Sequence, residues 1–390
     1  MPAKKKPKVT AKDLKGFKYF KLLTPLLERL HEVGTDRDRA GNRKLFFDQY
    51  AALLLFHFFN PVLSSLRGLQ QATALDKVQK RLGIRPTALG SLSEAARVFD
   101  ADALQEVITE LAAHIPAAVP PTDLQALQDL TAVDGSLLPA LPRMAWALWL
   151  DDQHKAAKMH LAFEVLRGIP VGVRVTTGNG SEHAQLRALL QAGRLYVIDR
   201  GYAEYQLFQD IIDAGSSFVG RLRDNAVWQL LEERPVSAAA QAAGVRRDLL
   251  VWLGGDVSGA VFRQPLRVLE VATGKTDARG RPDVLLLATD RLDLEAELVA
   301  LAYRYRWAVE LFFRWFKCIL GCRHLLSESA NGVTIQVYLA VIASLLVSLW
   351  TGQKPTKRTF EMLCFYFSGW ASEAELLAHL AKLGQAKKTK

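Results

Sequence analysis

Residues 130–141 read LTAVDGSLLPAL and residues 195–201 read LYVIDRG, and these two stretches decide how the chain is built. Each carries an apolar, β-branched run into an aspartate, Asp134 in the first and Asp199 in the second, with a glycine close behind. Such runs bounded by glycine read as buried strands, so both aspartates are expected at the lip of a sheet, where strand gives way to turn. In open α/β sheets ligands gather outside the carboxyl ends of strands, which makes a charged residue there a site candidate. A lone aspartate in that position is more often a turn or helix cap. Asp290, closing DVLLLATD (283–290), fits the same description, precedes a helical pattern and is assigned to capping.

Around these stretches the pattern alternates. KMHLAFEVL (158–166) and IPVGVRVTT (169–177) read as strands joined at Arg167 and Gly168, followed by a helix in SEHAQLRALLQA, another around YQLFQDIIDA and a strand in SSFVGRL. Strands first and then alternation with helices imply a mixed α/β sheet flanked by helices. Residues 224–281 are strand-like and glycine-punctuated, as in LLVWLGGD and LRVLEVATG, and are expected to form an inserted β subdomain. Upstream, FFDQYAALLLFHFF and LQEVITELAAHI repeat at helical spacing, with stops near Gly83 and Pro86. The expected organisation is a basic tail (1–21), a helical domain (22–116), a first core segment (125–223), the β insertion (224–281), a second core segment (282–325) and a C-terminal helical region (326–390). AAVPPTDL (117–124) is the expected linker, because adjacent prolines stop a helix.

The third acid comes from YRYRWAVELFFRWFK (303–317), read within one long helix from Leu292 to Ile319. Tyr303, Arg306, Glu310 and Lys317 follow the spacing Y-x2-R-x3-E-x6-K. At ~100° per residue they fall within a ~60° arc of one face, so one stripe presents a carboxylate flanked by a phenol and two cations. Ordinary i, i+4 ion pairing would also produce such a stripe. Against that, Trp307, Val309, Leu311, Phe312, Phe313, Trp315 and Phe316 cover much of the remaining circumference, so the helix is expected to be largely buried and its polar stripe to need partners. Two strand acids and one helical acid are a minimal ligand set for a pair of Mg2+ ions, with Mn2+ as substitute. Such a pair activates an oxygen nucleophile, steadies the leaving oxygen and relieves charge on a phosphodiester. Arg306, Lys317 and Tyr303 would grip adjacent phosphates.

Charge points the same way. The chain has 390 residues and a formal net charge of +10, which favours a polyanionic partner. Eight lysines against Asp13 within residues 1–21 account for about seven of those charges, and a lysine-rich arm alone supplies only non-specific phosphate attraction. Cys318, Cys322 and Cys364 are too few for a disulfide framework, which suits a reducing compartment. Cys318 and Cys322 with His324 lack a second ligand pair at zinc spacing. VTIQVYLAVIASLLVSLW (333–350) is of borderline length for a membrane span and is read as a buried core helix. Trp228 and Trp252 are either core residues or platforms for a flipped base. Arg67, Gln70 and Gln71 in SLRGLQQ are candidates for base contacts.

Taken in order, D-G-S, D-R-G-Y and Y-x2-R-x3-E-x6-K resemble the motifs of the insertion-sequence family 4 transposases of bacteria, a group of DDE transposases. KLFFDQYAALLLFHFFNP, SLSEAARVF and FVGRLR are also similar to that family, so the likeness extends over most of the chain. The resemblance implies an RNase H-like core in which Asp134, Asp199 and Glu310 hold the metal ions, and transposon-end contacts from Tyr303, Arg306 and Lys317. It further implies a β-rich insertion before the glutamate and cut-and-paste transposition, often through a hairpin, by a homodimer on two double-stranded DNA ends in the cytoplasm at the nucleoid. Two alternatives share these residues: a transposase-derived DNA-binding protein without catalysis, and a metal-dependent nuclease that cuts without rejoining.

Overall fold

The computed structural model describes residues 18–33, 43–60, 62–116, 122–254, 261–276, 280, 282–322, 324–352 and 354–385. Residues 1–17 of the expected tail and 117–121 of the expected linker lie outside the described residues. Among the described residues the first helix begins at Lys18, inside the basic run.

The front of the chain is helical: α1 (Lys18–Glu28), α2 (Phe47–Phe58), α3 (Leu66–Thr73), α4 (Asp76–Leu82), α5 (Leu89–Val98) and α6 (Ala103–His114). Apolar residues three and four apart give these helices a face to bury; α2 goes further and buries Phe47, Tyr50, Ala51, Leu53, Leu54, Leu55 and Phe58, around most of its circumference. Gly83 closes α4 in the left-handed conformation, with φ of 63°, which a side chain would resist.

The sheet follows, with β1 (Leu130–Ala140), β2 (Lys155–Glu164), β3 (Ile169–Thr177), α7 (Glu182–Leu189), β4 (Leu195–Ile198), α8 (Tyr205–Asp213), β5 (Ser217–Arg221), β6 (Trp228–Arg234), α9 (Ala238–Ala242), β7 (Val245–Leu253), β8 (Leu266–Thr276) and β9 (Pro282–Thr289). Its order is β3-β2-β1-β4-β5-β9-β8-β7-β6. β2 is antiparallel to β1 and β3, whereas β1, β4 and β5 run parallel. An antiparallel three-strand unit that continues into parallel strands through helical crossovers is a mixed α/β, RNase H-like arrangement.

The strand-rich segment 224–281, expected as an inserted β subdomain, holds β6, β7 and β8, most of the strands that continue the sheet. β9 pairs antiparallel with β5 on one side and with β8 on the other, so β8, β7 and β6 prolong the main sheet. An open β5 edge would leave a row of unpaired backbone groups, and β9 satisfies them.

Among the described residues five helices follow: α10 (Ala296–Tyr305), α11 (Trp307–Cys318), α12 (Ala330–Thr351), α13 (Lys357–Phe367) and α14 (Glu373–Gln385). α12 is the apolar stretch read above as a core helix. It is long and apolar enough to cross a membrane, yet 94% of its apolar window is buried inside the protein. It packs against α1, α2, α5, α6 and β3, and a helix enclosed on all sides has no use for a polar face. One continuous core therefore joins the front helices, α12, α11 and one face of the sheet, while α7 and α8 cover the other face with a second core.

Candidate active site at the junction of β1, β4 and α11

Strand register brings the two aspartates together. The parallel β1–β4 ladder ends at Ala132 opposite Val197, and Asp134 and Asp199 each lie two residues further along. Side chains two apart share a face, so both carboxylates continue the face of Ala132 and Val197. Those two residues belong to the core that contains Val309, Phe312, Phe313 and Phe316 of α11, whereas Val133 and Ile198 belong to the other core. Asp199 follows β4 directly, as expected. Asp134 does not end its strand: β1 runs on to Ala140, paired with β2 throughout. What stops at this point is the β1–β4 pairing, so the lip of the sheet is a parting between two strands.

The helix expected from Leu292 to Ile319 is two helices. α10 ends at Tyr305 and α11 starts at Trp307, with Arg306 between them. Here the Arg306 N–H donates to the Tyr303 carbonyl and the Val309 N–H to the Arg306 carbonyl, a tighter i to i−3 pattern that breaks the α ladder. α11 is also less buried than its composition suggests, since Trp307 is 51% and Leu311 52% exposed. Val309, Phe312, Phe313, Trp315 and Phe316 are buried, as expected.

The Tyr, Arg, Glu and Lys stripe nevertheless meets the two aspartates. Arg306, whose side chain is only 11% exposed, reaches Glu310 at 2.9 Å, Asp134 at 3.7 Å and Asp199 at 3.8 Å. The Tyr303 hydroxyl donates to Asp199 Oδ1 at 3.0 Å, and the Arg200 N–H donates to the same oxygen at 2.7 Å. Lys317 Nζ donates to Ser136 Oγ at 2.8 Å, and Ser136 lies two residues beyond Asp134 on the same face. The three acids thus surround one guanidinium. Among the described residues no group of three or more His, Cys, Asp or Glu side chains is placed to hold a metal ion.

Burial and charge set the protonation of these groups. Desolvation pushes Asp134 up to about 6, with Glu310 and Glu182 adding to the rise and the Gly135 N–H and Arg306 opposing it. For Asp199 burial is also the largest influence, but the Arg200 N–H, Arg306, the Tyr303 hydroxyl and Arg221 together outweigh it and hold the carboxyl below its ordinary range. Tyr303 is pushed up to about 12 by burial and by the Asp199 charge. Burial alone would lower Arg306; the surrounding acids raise it instead.

Other candidates fall elsewhere. Asp290 caps no helix: it accepts from the Phe218 N–H at the start of β5, and because β9 runs antiparallel to β5 its end lies at the opposite edge from Asp199. Trp228 packs partly buried against the second core and Trp252 is half-buried on β7. Arg67 and Gln71 are exposed on α3 and Gln70 is half-buried. Cys318, Cys322 and Cys364 are free thiols.

Two residues beside the site carried no sequence signal. Glu182, first residue of α7, and Lys158 of β2 form an ion pair at 2.8 Å. An acid in the first turn of a helix is too ordinary to be singled out, and only the packing of α7 against β1 and β2 brings it here.

The family model described as Transposase DDE domain matches residues 125–346, more than half of the chain and inclusive of all three acids. The probable transposase for insertion sequence element IS5377 of Geobacillus stearothermophilus is 27% identical over 234 residues, covering 58% of this chain and 59% of that protein. The chain thus spans about six tenths of that relative's length. The putative transposase for insertion sequence element IS4SA of Synechocystis sp. is 20% identical over 308 residues, covering 77% of this chain and 83% of that protein. Among solved structures, the piggyBac transposase synaptic complex with hairpin DNA aligns distantly, with a TM-score of 0.45 and 11% identity over 92% of this chain and 82% of its own. With both aspartate strands and the Glu310 helix inside the matched region, the chain belongs to the DDE transposase domain family, alongside transposases of bacterial insertion sequences.

Proposed function

We propose that this chain cuts the ends of an insertion element and joins the 3′ strands to target DNA, with Asp134, Asp199 and Glu310 as its catalytic acids. The observation that carries this reading is the convergence of three carboxylates, from β1, the end of β4 and α11, on the single Arg306 guanidinium. Nothing in DNA binding alone calls for acids gathered where phosphates must pass. The Y-R-E-K stripe supports placement with the family 4 enzymes, and that resemblance is the ground for proposing a homodimer that bridges two ends of nucleoid DNA in the cytoplasm.

The residues suit a divalent cation by donor type alone: three carboxylates, hard oxygen donors, face the one Arg306 guanidinium. Asp134, Asp199 and Glu310 would hold the ions, Mg2+ or Mn2+, which when bound activate a water or 3′-hydroxyl and offset charge on the phosphate. The protein's own part is to place and release charge. Arg306 neutralises the acids when DNA is absent, and in the complex it would turn to a phosphate as a bidentate donor. Lys317 would leave Ser136 for a phosphate, and Tyr303 both orients Asp199 and closes that side of the site.

The direct test is incubation of the protein with labelled element ends and Mg2+ or Mn2+, with products resolved on a denaturing gel. Nicked and joined strands are expected; ends that are bound but never nicked would leave a DNA-binding protein without catalysis, and nicking without joining would leave a nuclease. Arg306→Ala and Lys317→Ala are expected to weaken binding to cleaved ends and each to reduce the log–log salt slope by about 1. Unchanged affinity and slope in both variants would make the stripe structural.

A further inference from the structure

The turn that carries Asp199 is short and makes few bonds of its own. Arg200–Tyr202 form a single 3-10 turn, in which the Tyr202 N–H donates to the Asp199 carbonyl at 3.0 Å and the Ala203 N–H to the Arg200 carbonyl at 3.1 Å. Neither bond uses the Gly201 carbonyl. That oxygen faces α7, where His183 Nε2 stands 3.0 Å from it. A carbonyl only accepts, so Nε2 carries the proton between them. The other ring nitrogen, Nδ1, lies 3.1 Å from Glu204 Oε2, and Glu204 also takes Arg187 of α7 at 2.7 Å. Arg187 reaches on to Asp210 of α8 at 2.5 Å. Tyr202, the next residue of the turn, is only 2% exposed, and the His183 ring meets it edge-on, 6.1 Å between centroids. All these contacts come from the α7 and α8 side of the sheet, whereas Tyr303 and Arg306 hold the Asp199 carboxylate from the α11 side.

We propose that His183 is a positioning residue: through the Gly201 carbonyl it fixes the turn that presents the Asp199 carboxylate, while Glu204 sets the angle of its ring. The inference rests on the reading of Asp199 as a catalytic acid. A carboxylate displayed from a turn follows every movement of that turn, and a misplacement of about 1 Å can cost ~100-fold in rate. A cluster that merely tied α7 to α8 would depend on the Glu204 contact and be indifferent to the Gly201 one.

Two substitutions separate the contacts. The amide nitrogen of Gln takes the place of Nε2 and that of Asn the place of Nδ1, so His183→Gln keeps a donor for Gly201 and His183→Asn keeps one for Glu204. The full chain and both variants are compared by hydrogen exchange across residues 199–204 without DNA, and by the nicking rate on saturating labelled element ends with Mg2+. His183→Asn is expected to speed exchange in this segment and to slow nicking by about tenfold, with end affinity unchanged in a gel shift. His183→Gln is expected to stay close to the parent in both, and thermal unfolding checks that each variant keeps its fold. Equal loss in the two variants, or a larger loss in His183→Gln, would place the effect on Glu204 or on α7 packing and overturn the proposal. Parental exchange and nicking in His183→Asn would overturn it as well. If the parent itself never nicks, the catalytic reading fails by that result alone, and exchange decides the anchoring: faster exchange confined to His183→Asn upholds it, and parental exchange in that variant overturns it.

Discussion

Changing Asp134 or Asp199 to Asn, or Glu310 to Gln, is expected to lower metal-dependent strand cleavage by about a thousandfold or more while binding to element ends survives. Each amide keeps the size and most of the hydrogen bonding of the acid and removes one negative charge. If that charge holds a divalent ion, the loss is several kcal/mol of transition-state stabilisation, and each ~1.4 kcal/mol is tenfold in rate. DNA affinity should stay level or rise, since a negative charge beside phosphate has gone. Gel shifts and nicking assays on the same preparations separate the two effects. An amide variant that cleaves near the parental rate would remove that residue from the catalytic set. The three sites are expected to behave alike because they share one counter-ion in Arg306, so losing any one acid disturbs the same charge balance.

The second large effect is on stability and lies away from the chemistry. Arg267 of β8 and Asp248 of β7 form a two-pronged pair at 2.8 and 2.6 Å, with both side chains only 3% exposed. The remaining guanidinium nitrogen donates to the Leu294 carbonyl, just ahead of α10. Asp248→Asn would leave a buried guanidinium without its counter-charge, which costs about 3–5 kcal/mol. The cost is expected as a lower urea midpoint at an unchanged slope. Replacing both partners, as Asp248→Leu with Arg267→Met, should recover much of the loss, because the desolvated charge goes with the pair. Recovery should stay incomplete, since the Leu294 carbonyl loses its donor. A single Asp248→Asn variant as stable as the parent would show that the pair contributes nothing. This contact fastens the β6–β8 extension of the sheet to the segment that introduces α10 and the Arg306 turn, so the site also depends on it indirectly.

How far the site could be read in the residues depends on the range of the forces that build each part. Asp134, Asp199 and the Tyr303, Arg306, Glu310 and Lys317 stripe stand out because strand and helix periodicities act over a few residues, and the order of the motifs carries the family resemblance. The strands around them, IPVGVRVTT above all, follow from local alternation and match β3 residue for residue. The same local logic keeps Asp290 out of the site but wrongly makes it a helix cap. Its segment looks like those of Asp134 and Asp199, but strand direction decides which edge of the sheet an acid reaches, and direction is settled by pairing between β5 and β9 across 70 or so residues of chain.

The sequence by itself therefore determined the mixed α/β class, the acids and cations singled out as site candidates, and the apolar identity of α12, because each follows from composition and short-range spacing. Only the tertiary structure decided that β6, β7 and β8 extend the main sheet, that the Glu310 helix breaks at Arg306, and that one guanidinium gathers the three acids. These outcomes depend on which distant segments exclude water together and on which charges must share a buried place. No window of neighbouring residues contains that information, since the partners meet only when β1, β4 and α11 pack against one another.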